Sequence, residues 1–258
     1  MVCVYNKISI LSNKNNMRTI RAFFADISST MSEVAITNDH YNYFKNVLRL
    51  KKNDNIVLFN NLDGLEYNTE IISITNKAIE LNITNSIKID NENAYTVNLY
   101  QSLIKIENFE LVIQKATELG VNNIYPIITD YTNLKFDFKN IEKKLDRWQK
   151  IAVGASEQSR RVFVPKIHAP IELETLSMPK NQFNITLCPY AKNDTSFQYK
   201  LKIADNINIF IGPEGGFSET EMKLFKNNDF ETINLGKRIL KAETAPINII
   251  SIINFLKQ

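Results

Sequence analysis

Cysteine is all but missing from this chain of 258 residues: Cys3 and Cys188 are the only two. That excludes a disulfide framework. Histidine is as scarce, with His40 and His168 alone, so neither a zinc-ligand set nor a multi-histidine metal site can be assembled. No run of eighteen apolar residues occurs, which excludes a transmembrane helix. The opening VCVYNKISILSNKNN has neither the basic start nor the small-residue cleavage site of a signal peptide. Glycine is scarce too, while Asn and Ile are plentiful, and we read this as coding bias. Neither sign of charge dominates: 31 basic against 28 acidic residues leave +3, a weak lean towards an anionic partner.

What is present is an ordinary globular balance, 44% hydrophobic and 23% charged, which excludes wholesale disorder. Residues 1–16 read as a disordered extension, with Met17 as the working start. From Arg18 to about Ile89 the pattern is of short strands. RAFFADI, SEVAIT, NIVLFN, LEYNTEIISI and KAIELNIT alternate with turns, and Asp63-Gly64 marks a hairpin. DHYNYFKNVLRL reads as one helix with Tyr43, Phe44, Val47 and Leu48 on one face. A small β-barrel over residues 17–89 is expected, followed by a polar linker at 86–94.

From Tyr95 the rhythm changes to strands alternating with helices, an α/β domain with a mostly parallel sheet over 95–258. ENFELVIQKATELG spaces Phe109, Val112, Ile113, Ala116 and Leu119 as one helical face ended by Gly120. A long helix is predicted from about Asn140 to Ser156. The terminal helix from about Thr244 to Lys257 is apolar nearly all round, as in a core or a subunit interface.

Three features could carry chemistry. The first is a buried strand that breaks into Gly212-Pro213-Glu214-Gly215-Gly216 and reopens as a helix, with Ser218 as N-cap and Glu221 as its capping-box partner. It lacks the spacing of a dinucleotide fingerprint and the Lys-Ser/Thr end of a P-loop. Taken alone it fits a ligand loop and a plain tight turn equally well. The second is Leu235-Gly236-Lys237-Arg238-Ile239-Leu240-Lys241, whose cations fit a solvated loop or a phosphate contact. The third is basic and central: nine Lys or Arg against four Asp or Glu between Lys135 and Lys166, a cluster that suits a polyanion or a solvated helix face.

Together the motifs resemble one family closely: the bacterial small-subunit ribosomal RNA methyltransferases that act on N3 of a uridine (RsmE type), in the knotted SPOUT superfamily. The matching stretches are R-x-x-R-x-F-F from Arg18, H-x(6)-V-L-R from His40 to Arg49, VIQKATELGV, RWQKI, ASEQS with Arg161, IGPEGGFS and LGKRILKAETA. They run in order from Met17 to the C-terminus. Arg160 stands where the family usually has Gly, Lys237 where it has Pro, and Lys241-Ala242 where it reads Arg-Thr.

The resemblance implies an N-terminal PUA-like RNA-binding barrel and a C-terminal α/β trefoil knot that binds S-adenosylmethionine and dimerises in the cytoplasm. The cofactor site it implies consists of three loops: Leu187, Cys188 and Pro189; Gly212 to Gly216; and Leu235, Gly236, Ile239 and Leu240, with Thr244. Gly216→Val is then expected to block the cofactor sterically and leave the fold intact. The substrate would be 16S rRNA or the assembled small subunit, held by Arg18, Arg21, His40 and Arg49 of the barrel and by Lys105 and Arg160. Uracil N3 must lose a proton while charge spreads onto O2 and O4, so a proton acceptor and nearby cations are wanted. Glu157 is the candidate base or polar anchor, or else a helix-end carboxylate pairing with Arg161. Arg161 and Arg238 are the candidate stabilising charges, and no metal is required. The rival readings are a non-catalytic RNA-binding assembly factor and a knotted methyltransferase with another target atom.

Overall fold

Two sheets divide the chain. The computed structural model describes residues 20–37, 39–132, 140–192 and 196–258; the expectations for residues 1–16 and for Arg18 fall outside the described residues. The first sheet is built from β1 (Ile20–Phe23), β2 (Glu33–Ile36), β3 (Asn55–Phe59), β4 (Leu65–Ile74) and β5 (Ile79–Lys88), in the order β1-β3-β4-β5-β2. Only the β1–β3 pair is parallel. Asp63-Gly64 closes the β3–β4 hairpin as predicted: Phe59 pairs with Glu66, and Gly64 takes φ +68°, a conformation open to glycine at no steric cost. Alternation along the strands sends Ile56, Leu58, Tyr67, Ile71, Ile79 and Leu81 into one core, as a period of two requires.

The predicted helix at 39–50 is interrupted. One turn of α-helix, α1 (Asp39–Asn42), passes into a π-helical turn at Tyr43–Val47. The extra residue per turn rotates the apolar face. Tyr41 and Phe44 are buried, whereas Tyr43 and Val47, expected on the buried side, point to solvent.

The second sheet is parallel throughout. It comprises β6 (Thr96–Ser102), β7 (Asn123–Ile128), β8 (Lys166–Ile167), β9 (Ile171–Glu172), β10 (Phe183–Leu187), β11 (Asn206–Ile211) and β12 (Glu231–Ile233). Its order is β12-β10-β11-β6-β7-β8, with β9 also on β7. The helices are α2 (Ile106–Glu118), α3 (Ile141–Ser159), α4 (Phe197–Ile203), α5 (Glu219–Asn227) and α6 (Thr244–Leu256). On one face, Val97, Leu99, Ile207 and Ile209 pack against Phe109, Val112, Ile113 and Ala116 of α2, Trp148 of α3 and Ile249, Ile250 and Ile253 of α6. Each Val, Leu, Ile or Phe side chain contributes roughly 1.5–3 kcal/mol when fully buried.

The other face carries two rows that cross the strands. Asn123 donates to Asn98, Asn98 to Asn208, and Asn208 to Asn184. Two residues further along, the rings of Phe210, Tyr100, Tyr125 and His168 stack in sequence with centroids 4.0–4.4 Å apart. Phe225 of α5 and Phe230 cover the Phe210 end. No helix among the described residues is long and apolar enough to cross a membrane.

Candidate active site

The strand order decides where a ligand can sit. From central β6 the chain moves outward to β7 and β8, then returns to build β10, β11 and β12 on the opposite side of β6. The reversal lies between β6 and β11. In an open parallel sheet the crevice beyond the carboxyl ends at such a point is the binding place. A cavity of about 1020 Å³ lies there.

Its lining comes from the carboxyl ends of four strands: Leu103 and Ile104 after β6, Leu187 to Tyr190 after β10, Ile211 to Phe217 after β11, and Ile233 to Leu235 after β12, continued by Arg238 to Glu243. The floor is apolar. The edge is largely peptide backbone, made so by glycines. A Cβ on Gly212 would stand 3.0 Å from the carbonyl carbon of Gly216, so only glycine lets the loop fold back on itself. Gly216 holds φ +74°, and its N–H donates to the Pro213 carbonyl at 2.9 Å to close the turn. Behind the loop the capping box is formed: Ser218 Oγ accepts from the Glu221 N–H, and Glu221 accepts from the Ser218 N–H. Glu221 also accepts from the Asp130 N–H at 3.0 Å, and Ser218 Oγ donates to the Asp130 carboxylate. The α5 end of the loop is thereby fixed.

The third loop is pinned by one amide. Asn234 Nδ2 donates to the carbonyls of Pro189 and Ala191, and its Oδ1 accepts from the Gly236 N–H at 2.7 Å. Beneath the cavity the side-chain atoms Gln101 Oε1, Ser102 Oγ and Thr186 Oγ1 are buried with no hydrogen-bond partner among the described residues. Such orphaned groups cost stability and concentrate at functional sites. Three cations stand exposed on the rim: Lys105 just before α2, Arg238 and Lys241.

Most of the predicted cofactor residues meet in this one cavity: Leu187, Cys188, Pro189, Gly212 to Gly216, Leu235, Ile239 and Leu240. Gly236 and Thr244 do not line it. Gly236 shapes the turn behind the wall, and Thr244 begins α6 on the exposed side. Leu103, Ile104 and Asn108 were not anticipated; the signal for them was the position of β6 at the reversal of strand order, which sequence alone does not display.

The predicted catalytic trio does not assemble. Arg238 is on the rim, but Glu157 and Arg161 lie at the carboxyl end of α3, where the two domains meet. Arg161 is only 4% exposed. Its Nε and Nη2 donate to Glu92, and its Nη1 donates to the carbonyls of Thr117 and Val121 at 3.0 and 2.8 Å. A guanidinium so committed cannot grip a phosphate or stabilise a distant anion. Glu157 does not pair with Arg161 either; it accepts from the Phe23 N–H at 2.9 Å. Burial pushes its carboxyl above the ordinary value, opposed by that N–H and by the charges of His40 and Arg21.

Of the expected RNA-binding residues, Arg49, Lys105 and Arg160 are exposed and His40 is half-buried against the ring of Phe44. Arg21 is not available: its side chain is 7% exposed and every nitrogen has a protein acceptor. Arg160 sits at φ +64°, the left-handed end of α3, which is why glycine is the residue expected there.

Comparison with known proteins agrees with this geometry. Residues 91–254 match the family described as RNA methyltransferase domain, and residues 36–84 match the RNA methyltransferase PUA domain. The chain is 36% identical over 221 residues to ribosomal RNA small subunit methyltransferase E of Mesomycoplasma hyopneumoniae, covering 84% of this chain and 91% of that one. A Legionella pneumophila methyltransferase solved with bound S-adenosylmethionine superposes with a TM-score of 0.85 at 29% identity, over 93% of this chain and 98% of that one. The small subunit methyltransferase E of Neisseria gonorrhoeae, also solved with S-adenosylmethionine, gives 0.84 at 28% identity, with the same coverage.

Proposed function

The chain belongs to the ribosomal RNA small subunit methyltransferase E family, and from that premise we propose that it transfers a methyl group from S-adenosylmethionine to N3 of a uridine in the small-subunit rRNA. The observation that carries the reading is the convergence of three loops on one cavity at the strand-order reversal. The cavity fits the cofactor. Its volume suits a nucleoside-sized ligand, its apolar floor suits an adenine ring, and its peptide edge offers N–H and C=O groups for recognising the base. The cofactor, when bound, supplies an electrophilic methyl on a sulfonium.

The chain's own residues bind and orient. The Gly212–Gly216 turn and the Leu235–Leu240 loop hold the nucleoside, and Leu187, Ile239 and Leu240 wall it. The target uridine has to be unpaired or flipped out, because N3 lies on the Watson–Crick edge. Its N3 proton leaves to water, and the negative charge that spreads onto O2 and O4 meets Arg238, with Lys105 and Lys241 beside it. Positioning supplies most of the acceleration. Glu157 and Arg161 act at the domain junction instead of on the reacting atoms.

The protein works as a cytoplasmic homodimer in this reading, with α6 at the interface. Phe255 on the outer side of α6 is 75% exposed, and a helix with apolar residues on both sides is suited to a partner. A monomer by light scattering at micromolar concentration would remove the dimer.

The deciding measurement is nucleoside mass spectrometry of small-subunit rRNA from cells with and without the gene. We expect 3-methyluridine to disappear and to return with the wild-type gene but not with an Arg238→Ala gene. Unchanged 3-methyluridine in the deletion strain would end the assignment.

A further inference from the structure

We propose that Arg21 is a positioning residue that latches the barrel onto the knotted domain in one orientation, so that RNA held by the barrel meets the cavity in register. The inference rests on the methyltransferase reading above. It deepens that reading by assigning a role to a cation the transfer chemistry does not use.

The carboxyl end of a helix leaves carbonyls without intrahelical partners and carries the negative end of the helix dipole. In α3 that end lies at Ser156 to Arg161, where the backbone N–H groups of Arg160 and Arg161 already reach the Ser156 carbonyl and the other domain adds a further donor. Arg21 Nη1 donates to the Ser156 carbonyl at 3.0 Å and Nη2 to the Arg161 carbonyl at 2.6 Å. On the barrel side Nε donates to Glu66 on β4 at 2.6 Å, and the guanidinium lies 3.8 Å from the centroid of the Phe59 ring on β3. The planar fork therefore grips two domains at once, which an ammonium could not do.

The contact extends to both sides of Arg21. The Phe23 N–H on β1 reaches Glu157 of α3. At the tip of the β3–β4 hairpin Asn61 Oδ1 accepts from the Val164 N–H at 2.7 Å, and its Nδ2 donates to the Val164 carbonyl at 3.3 Å. Two separated strand ends fix a rigid body in rotation as well as in place. The receiving segment is itself locked, because the Arg161 side chain ties it to Thr117 and Val121 at the far end of α2, whose first turn opens onto the cavity. Barrel and cavity are thus joined through hydrogen-bonded groups, with no free linker between them.

The test is steady-state methylation of small ribosomal subunits purified from the deletion strain, by wild type, Arg21→Lys and Arg21→Met, with S-adenosylmethionine affinity measured calorimetrically on the same preparations. A misplacement of an ångström or so costs on the order of 10²-fold in rate. Arg21→Met should therefore lose about that much in kcat/KM for the subunit while its cofactor Kd stays within about twofold; Arg21→Lys, which keeps the charge but not the fork, should fall between. Wild-type kcat/KM in Arg21→Met, or a loss matched by an equal loss of cofactor affinity, would overturn the latch. Should Arg21→Met not fold, Asn61→Ala at the exposed hairpin tip carries the test, with a smaller loss of the same kind expected and wild-type kcat/KM overturning it. Failure of the wild-type protein to methylate the subunit would instead defeat the underlying assignment.

Discussion

Arg161 and Glu92 form a nearly dry ion pair 2.8 Å apart, sixty-nine residues from one another in sequence. Removing one partner of such a pair leaves the other charged and stranded, so Arg161→Ala should cost about 3–5 kcal/mol of stability. Urea unfolding of the variant against wild type would measure it, and a change under about 1 kcal/mol would show the pair to be solvated. Glu157 makes a second, pH-dependent statement. Its folded pKa is raised, so its share of stability is full below the ordinary carboxylate value and is lost as pH rises through the elevated one. Thermal unfolding should therefore show Glu157→Gln gaining on wild type across that window, from about 4.5 upward; parallel curves would contradict the burial. At this scale the sequence was legible where local geometry dictated the residue. The Ser218–Glu221 box and the Asp63-Gly64 turn could be read directly. Arg21, Glu157 and Arg161 could not, because an arginine that reaches phosphate and one that caps a helix of another domain look alike until their distant partners are known.

The glycine turn between β11 and α5 shows how an element constrains its substitutions. Gly216 has open space where a Cβ would go, at a position that lines the cavity, so a side chain there obstructs the ligand. Its φ of +74° adds a second effect that spacing alone did not reveal. A β-branched residue is strained in that region at a cost of about 1–3 kcal/mol. Gly216→Val should thus lower the unfolding midpoint as well as abolish cofactor binding, which scanning calorimetry and titration calorimetry would separate. A midpoint equal to wild type would mean that the turn relaxes. Helices α2, α5 and α6 were legible from period, caps and apolar content, and α3 was expected but runs on from Ser156 to Ser159; α2 buried the expected face except Leu119, which stands at its C-cap. The π-helical turn at Tyr43–Val47 was not, since the sequence pattern presumes 3.6 residues per turn.

For the whole molecule a net charge of +3 is a small handle on RNA, so affinity depends on where the cations sit. Exposed cations include Arg49, Lys51 and Lys52 on the barrel, Arg160 at the end of α3, and Lys105, Arg238 and Lys241 on the cavity rim. Affinity for rRNA fragments should fall steeply with salt. Arg49→Ala, if it contacts a phosphate, should flatten the log–log slope by about 1. An unaltered slope in fluorescence titrations from low to physiological salt would place the RNA elsewhere. The order of the parallel strands was the largest thing hidden from sequence, because it is fixed by non-local pairing and not by the pattern within any strand.

That order also bears on how the protein is made. β11 lies between β6 and β10, although both precede it in the chain, and the wall of the cavity is not complete until Ala245. On the ribosome everything before β11, which begins only at Asn206 of 258 residues, therefore emerges with a gap in the middle of its sheet. The nascent chain can hold no methyl donor, and the unpaired edges of β6 and β10 need shelter until β11 slots between them. An enzyme that modifies ribosomes becomes competent only in the last moments of its own translation.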